Sequence, residues 1–197
     1  MDQSTTNDIP QVSLLENDML TDKFSETEVK EAIFQMEHNK APGPDGFPLE
    51  FYQVFWFLLK YDLMALFEEF HTGTLPIHSL NFRNIILLPK TNDAKRIQQH
   101  RPISLLNVSF KIFTKVLTNR ITKIANTIIG PTQSAFIPNR NIMEGAVILH
   151  ETIHELHTKK QNGIIFKIDF EKAYDKVRWS FLQQTLRTKG FSEKWQQ

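Results

Sequence analysis

The sequence predicts a helix-rich α/β (α+β) chain, and three observations carry that prediction. Several segments place apolar residues at helical spacing, two short apolar runs are too brief for helices, and Gly and Pro clusters separate them. The 197 residues, 41% of them hydrophobic, can bury a real core, and the length fits one domain or part of a larger one.

Residues 1–23 are polar and irregular and read as a flexible lead-in. Ser25 with Glu28 makes a capping box for a short amphipathic helix through Val29, Ala32, Ile33 and Met36, ending near His38. Lys40 to Pro48, KAPGPDGFP, holds three prolines and two glycines in nine residues, so it is an ordered or semi-ordered turn. Pro48 then opens an apolar helix to about His71, with Phe51, Phe55, Leu58, Leu59, Met64, Leu66 and Phe67 as buried candidates. Ile85 to Lys90 is strand-like, Pro89 placing its end at an edge or exit. The polar segment Thr91 to His100 follows as a hairpin tip carrying Lys95 and Arg96.

From about Leu105 a long helix runs to Ile129, with Phe110, Phe113, Val116, Leu117, Ile121 and Ile124 on its apolar side and Gly130-Pro131 ending it. Asn141 caps a helix over Ile142 to His157, with Glu144 placed as the reciprocal residue. His150, His154 and His157 share a face of it; the spacing could suit a metal, but solvated or capping side chains are the simpler reading. Gly163 breaks the chain, and Ile164 to Ile168 reads as a strand buried on both faces. Asp175 caps a final helix in which Val177, Trp179, Phe181, Leu182 and Leu186 have roughly helical spacing, closed by Gly190.

Charge is unevenly spread. Residues 1–50 hold eleven Asp/Glu against three Lys/Arg, whereas residues 83–123 hold nine Lys/Arg against Asp93 alone. That middle stretch is either a polyanion surface, giving affinity without sequence choice, or a solvated basic face. No cysteine is present, which leaves out disulfides and thiolate metal sites. The longest apolar run, Val54 to Leu59, ends at Lys60, far short of a membrane span, and the acidic N-terminus does not read as a secretory signal.

Asp169 follows the second strand-like run. A hard carboxylate at the carboxyl end of a strand suits Mg²⁺, although on position alone a turn or capping role is the simpler reading, and Tyr174 alone would be a core residue. The stretch FKIDFEKAYDKVRW, Phe166 to Trp179, closely resembles the first catalytic block of reverse transcriptases of non-LTR (LINE-type) retrotransposons, especially the plant kind. Four further blocks match in order: KAPGPDGFP, NIILLPK (Asn84 to Lys90), RPISLLNVSFKIFTKVLTNRI (Arg101 to Ile121) and QSAFIPNRNI (Gln133 to Ile142).

The resemblance covers nearly everything from about Phe24 and implies right-hand polymerase fingers, about residues 24–130, followed by the start of the palm, about 131–197. It implies RNA-directed DNA synthesis from dNTPs on an RNA template and DNA primer, with two Mg²⁺ ions. Asp169 matches the first metal ligand and the catalytic carboxylate, and the Phe170 carbonyl matches a second ligand. Tyr174 matches the ring under the sugar. Lys90 and Arg101 are the implied triphosphate contacts, with a structural salt bridge as the alternative for Arg101. Gln133, Phe136 and Arg140 belong to a block that packs against template and nucleotide. Lys95, Arg96, Lys111, Lys115, Arg120 and Lys123 are expected on the nucleic-acid face. In the KAPGPDGFP loop, near the template-binding fingers, Asp45-Gly46 supplies the reversal. The family's Phe/Tyr-x-Asp-Asp hairpin and thumb have no counterpart in these residues, so a truncated fragment, inactive alone and with an open palm strand, is expected. A non-catalytic nucleic-acid-binding remnant and a group II intron maturase relative are the alternatives. By the same resemblance the expected location is nucleus or cytoplasm.

Overall fold

The computed structural model describes residues 9–166, 168 and 176–196. The described residues are 56% helical and include a two-stranded antiparallel sheet, in agreement with the helix-rich α/β (α+β) expectation. Two compact units form, one of Asp22–Asn119 and one of Met1–Thr21 with Arg120–Gln197.

In the second of these units, part of the stretch expected to be a flexible lead-in forms regular structure among the described residues. Leu14–Thr21 is a helix, α1, whose Leu20 is 1% exposed among Val12, Ile124, Ile128 and Phe191. Asn17 anchors it: its side chain donates to Gly190 O at 2.7 Å and accepts the Ser192 N–H at 2.7 Å.

The Asp22–Asn119 unit begins with helix α2 over Glu26–Gln35. Its first turn is capped as expected: the Ser25 hydroxyl accepts the Glu28 N–H at 3.2 Å. The single helix expected from Pro48 is two helices, α3 over Leu49–Val54 and α4 over Trp56–Thr72, separated at Phe55 with φ −96° and ψ 22°. Leu49, Tyr52, Trp56, Leu63 and Phe67 form their buried side. Phe55 and Leu58, expected inside, lie off that side and are 46% and 72% exposed. The remaining expected residues, Phe51, Leu59, Met64 and Leu66, pack partly buried against the same core. After a short turn of helix, α5 (Ile77–Leu80), come strands β1 (Arg83–Pro89) and β2 (His100–Leu106).

The strands pair from Arg83 with Leu106 to Pro89 with His100. Because Leu105 and Leu106 complete that ladder, helix α6 starts at Val108, not at Leu105, and runs to Ile128. Its Val108, Ile112, Phe113 and Val116 close the core against α2, α3 and α4, with the Phe67 and Phe113 rings stacked at 4.1 Å. Each large apolar side chain fully buried there contributes about 1.5–3 kcal/mol.

Beyond α6, helix α7 spans Ile142–Thr158, with the Asn141 side chain accepting the Met143 N–H as cap. Helix α8 spans Trp179–Thr188 and a last turn, α9, spans Glu193–Gln196. Gly190 ends α8 in the left-handed region at φ 78°, its N–H on Arg187 O and the Phe191 N–H on Leu186 O, the closure expected of a glycine there.

The strand expected over Ile164 to Ile168 is not formed at its described residues, 164–166 and 168. Residues 161–166 have no regular structure, and Ile164 and Phe166 are 81% and 80% exposed. A strand needs a neighbour to take its N–H and C=O groups, and the only sheet among the described residues pairs β1 with β2.

A carboxylate closes the start of α1. The Ser13 N–H and hydroxyl both donate to the Glu16 carboxylate at 2.8 Å, and the Ser13 backbone contact chiefly lowers the Glu16 pKa from its ordinary 4.5. A lowered carboxylate stabilises the folded chain above its unfolded pKa and loses that contribution as pH falls through the folded value. Glu16→Gln should therefore lower the melting temperature at pH 7 and have no effect at a pH below the lowered folded pKa. Equal effects at both pH values would refute the carboxylate's role.

Candidate nucleic-acid interface

The β1–β2 register decides where the hairpin's cations stand. Residues directly opposite share a face, so Ile86, Leu88, Ile103 and Arg101 lie on one side of the ribbon, Arg101 being the partner of Leu88. The Lys90 N–H extends the ladder to Gln99 O at 2.8 Å, which puts Lys90 on that same face, diagonal to Arg101. Lys90 Nζ donates to Gln98 O at 2.9 Å. Lys90, Lys95, Arg96 and Arg101 are all exposed, and no ion pair among the described residues involves them. The salt bridge considered for Arg101 is thus not formed there.

Gln99 organises the tip, a role invisible in the sequence. Its side-chain oxygen accepts the N–H groups of Lys95 and Arg96 at 2.8 and 2.9 Å, and its own N–H donates to Arg96 O. His100 Nδ1 contacts Arg96 O at 3.0 Å. The two tip cations therefore project from a turn whose main chain is fastened.

The Lys40 to Pro48 loop is ordered against the junction of β2 and α6. Gly43 is buried; a Cβ there would lie 2.4 Å from Asn107 N and 2.5 Å from Leu106 C. The Asn107 side-chain oxygen accepts the Asp45 N–H at 3.2 Å, and Gly46 N–H closes the turn on Gly43 O at 3.1 Å. The reversal is therefore centred on Pro44-Asp45, one residue before the expected Asp45-Gly46. Tyr52 beneath it has its phenol pKa raised, chiefly by burial and then by the Asp45 charge.

The basic residues of α6 divide. Lys111 is half-buried with Nζ 3.4 Å from Ala41 O, so it braces the loop, and Lys115 is half-buried too. Arg120 is 4% exposed and donates to Leu20 O at 2.9 Å, in the last turn of α1. A cation there satisfies a helix-end carbonyl and opposes the helix dipole. Its expected place on a nucleic-acid face is corrected to a structural one. Lys123 is exposed.

The Gln133 to Arg140 block follows α6. Phe136 is fully exposed and sits at φ 63°, and Asn139 at φ 64°. An aromatic residue in the left-handed region costs about 1–3 kcal/mol and persists only where surroundings hold it. Phe136 borders an open hollow of about 540 Å³ that Ser134, Arg140 and Ile142 also line. Gln133 is exposed, its side chain donating to Ala135 O at 3.2 Å. Arg140, expected at a nucleotide, has its guanidinium on the carbonyls of Gly130, Gln133 and Ile129 at 2.5, 2.7 and 3.0 Å. The geometry gives it a capping role at the end of α6.

Asp169, Phe170 and Tyr174, the residues expected at the metal and sugar, lie outside the described residues, as does Asp175. Among the described residues no three His, Cys, Asp or Glu side chains converge as a metal site would need, and His150, His154 and His157 are spread along exposed α7. No described helix is long and apolar enough to cross a membrane.

A core of α2, α3, α4 and α6 carries a basic hairpin, and comparison with known proteins places the chain in a family. Residues 88–197 match the family described as reverse transcriptase (RNA-dependent DNA polymerase). That match covers more than half of the chain, and the chain belongs to that family. It is 33% identical over 184 residues, 93% of its length, to a transposon TX1 uncharacterized 149 kDa protein of Xenopus laevis, of which it covers 14%. Similarity also extends to a retrovirus-related Pol polyprotein from the type-2 retrotransposable element R2DM of Drosophila melanogaster, 28% identical over 77% of this chain and 14% of that protein. A retrovirus-related Pol polyprotein from the type-1 retrotransposable element R2 of Nasonia vitripennis is 28% identical over 84% of the chain and 15% of that protein. The chain thus spans about one seventh of the length of the curated relatives it matches.

Proposed function

We propose that this chain supplies the fingers and the beginning of the palm of a LINE-type reverse transcriptase, and that its β1–β2 hairpin holds the phosphates of nucleic acid or of an incoming dNTP. The observation that carries the reading is the register that sets Lys90 and Arg101 on one face behind the exposed tip cations Lys95 and Arg96. Arg matches phosphate oxygens as a fork and Lys as a point charge, and both offset negative charge that builds during phosphoryl transfer.

Nucleic-acid template and primer binding goes with the family, and its members work with Mg²⁺. The RNA template, the DNA primer and the dNTP substrate are proposed for this chain by the same membership. We assign Asp169 and the Phe170 carbonyl to the metal and Tyr174 to the sugar; Mg²⁺ would there neutralise charge on the transferring phosphate.

The test is salt-dependent binding of an RNA–DNA duplex. Neutralising Lys90, Lys95, Arg96 and Arg101 together to Gln should weaken binding and reduce the slope of log K against log salt by roughly 3, close to 0.7–0.9 for each phosphate that is no longer neutralised. An unchanged slope would remove the hairpin from the interface.

A further inference from the structure

We propose that Arg140 is a positioning residue: it pins the Gln133 to Asn139 turn to the end of α6 and so presents Phe136, acting through main-chain carbonyls and not through phosphate. The inference rests on the reading of the Gln133 block as a nucleic-acid contact.

The last carbonyls of a helix have no partner within it, and the helix dipole leaves negative charge there. Helix α6 carries no basic residue in its last turn. Cations from elsewhere in the chain supply the need. Lys189 Nζ donates to Ile128 O at 2.7 Å. One Arg140 nitrogen, Nη1, bridges Gly130 O and Gln133 O at 2.5 and 2.7 Å, and the other, Nη2, takes Ile129 O at 3.0 Å with Asn126 O at 3.4 Å. A guanidinium has five N–H groups, and contacts to four carbonyls occupy both of its terminal nitrogens.

These carbonyls lie on both sides of the helix end. Asn126 belongs to α6, whereas Gly130 and Gln133 belong to the turn that leads to Phe136. The side chain of Arg140 therefore ties the turn back to the helix from seven residues further along. Within the turn Phe136 at φ 63° and Asn139 at φ 64° hold conformations that side chains seldom adopt unaided. The result is a ring open to solvent on a fixed stalk, which suits stacking on a base, an interaction tolerant of sequence.

The full chain is tested by anisotropy with a labelled RNA–DNA duplex bearing a single-stranded RNA overhang. Phe136→Ala and Arg140→Gln should each weaken binding about tenfold, within the range for one stacked base. The double variant should bind no worse than Phe136→Ala alone, because Arg140 acts through Phe136. The salt slope should stay unchanged, and Arg140→Lys, which keeps the charge but lacks the fork, should not restore affinity. Additive losses, a slope reduced by about 0.7–0.9, or rescue by Lys would overturn the proposal in favour of a phosphate contact.

Hydrogen exchange judges the clamp separately. In Arg140→Gln the amides of Gln133 and Arg140, which donate to Gly130 O and Ile137 O, should lose protection while those of Ile112 to Ala125 keep theirs. Unchanged protection would overturn the clamp. If the native chain binds no duplex while the exchange result holds, the nucleic-acid reading of the block falls, and the proposal with it as far as Phe136 is concerned.

Discussion

Phe67→Ala is expected to destabilise the Asp22–Asn119 unit by about 3–5 kcal/mol, the usual range for removing a fully buried ring. Phe67 is 0% exposed, stacked on Phe113 at 4.1 Å and tilted against Phe24 at 4.9 Å. Truncation removes the transfer free energy of the ring and both ring pairings, and since helices α4 and α6 cannot collapse freely onto the gap it leaves a cavity as well. Urea unfolding followed by far-UV circular dichroism reads the change as a lower midpoint at similar slope. Leu58→Ala is the contrast, because Leu58 is 72% exposed and its truncation should stay within about 0.5 kcal/mol. Similar effects for the two would mean that the buried side of α3 and α4 is wrongly placed.

Gly43→Ala should also destabilise the unit, by less and for a different reason. The added methyl would meet Asn107 N at 2.4 Å and Leu106 C at 2.5 Å, and both are backbone atoms at the turn from β2 into α6. Neither can swing aside as a side chain could, so the Lys40 to Pro48 loop must lift away, with a loss of about 1–3 kcal/mol. The Asp45 amide, which donates to Asn107 Oδ1, should then exchange faster. Gly46→Ala separates space from conformation: Gly46 has φ 73°, and nothing lies within 4 Å of the place a methyl would take, so only backbone strain of about 1 kcal/mol applies. If Gly43→Ala proves no worse than Gly46→Ala, close approach is not why a glycine stands there.

What can be read from the sequence is what is local in the chain. Ser25, Asn141 and Gly190 cap helices through groups two to four residues away, and the neighbours of each are enough to place it. The ordered blocks point to the family. Arg120 reads as a surface cation because its partner, Leu20 O, is 100 residues away on a helix whose polar sequence suggests a flexible lead-in. Phe55 and Leu58 read as buried on the assumption of one continuous helix, whereas the break at Phe55 resets the phase. Arg140 resembles any exposed cation until the end of α6 is seen to need one. The strand expected at Ile164 to Ile168 has suitable residues, but strand formation also depends on a neighbour that no local pattern reveals.

Asn17 carries a final consequence. Its bonds to Gly190 and Ser192 span 173 and 175 positions, so helix α1 closes on the far end of the chain across everything between. The Asp22–Asn119 unit, by contrast, is drawn from one unbroken stretch and interrupts the other in sequence. Closing a loop of that size costs entropy that grows only with the logarithm of its length, so doubling the interruption would add about 0.6 kcal/mol. Length added to an exposed connection such as the hairpin tip at 91–99 would therefore barely weaken the Asn17 closure, whereas removing one hydrogen bond at Asn17 would cost as much or more.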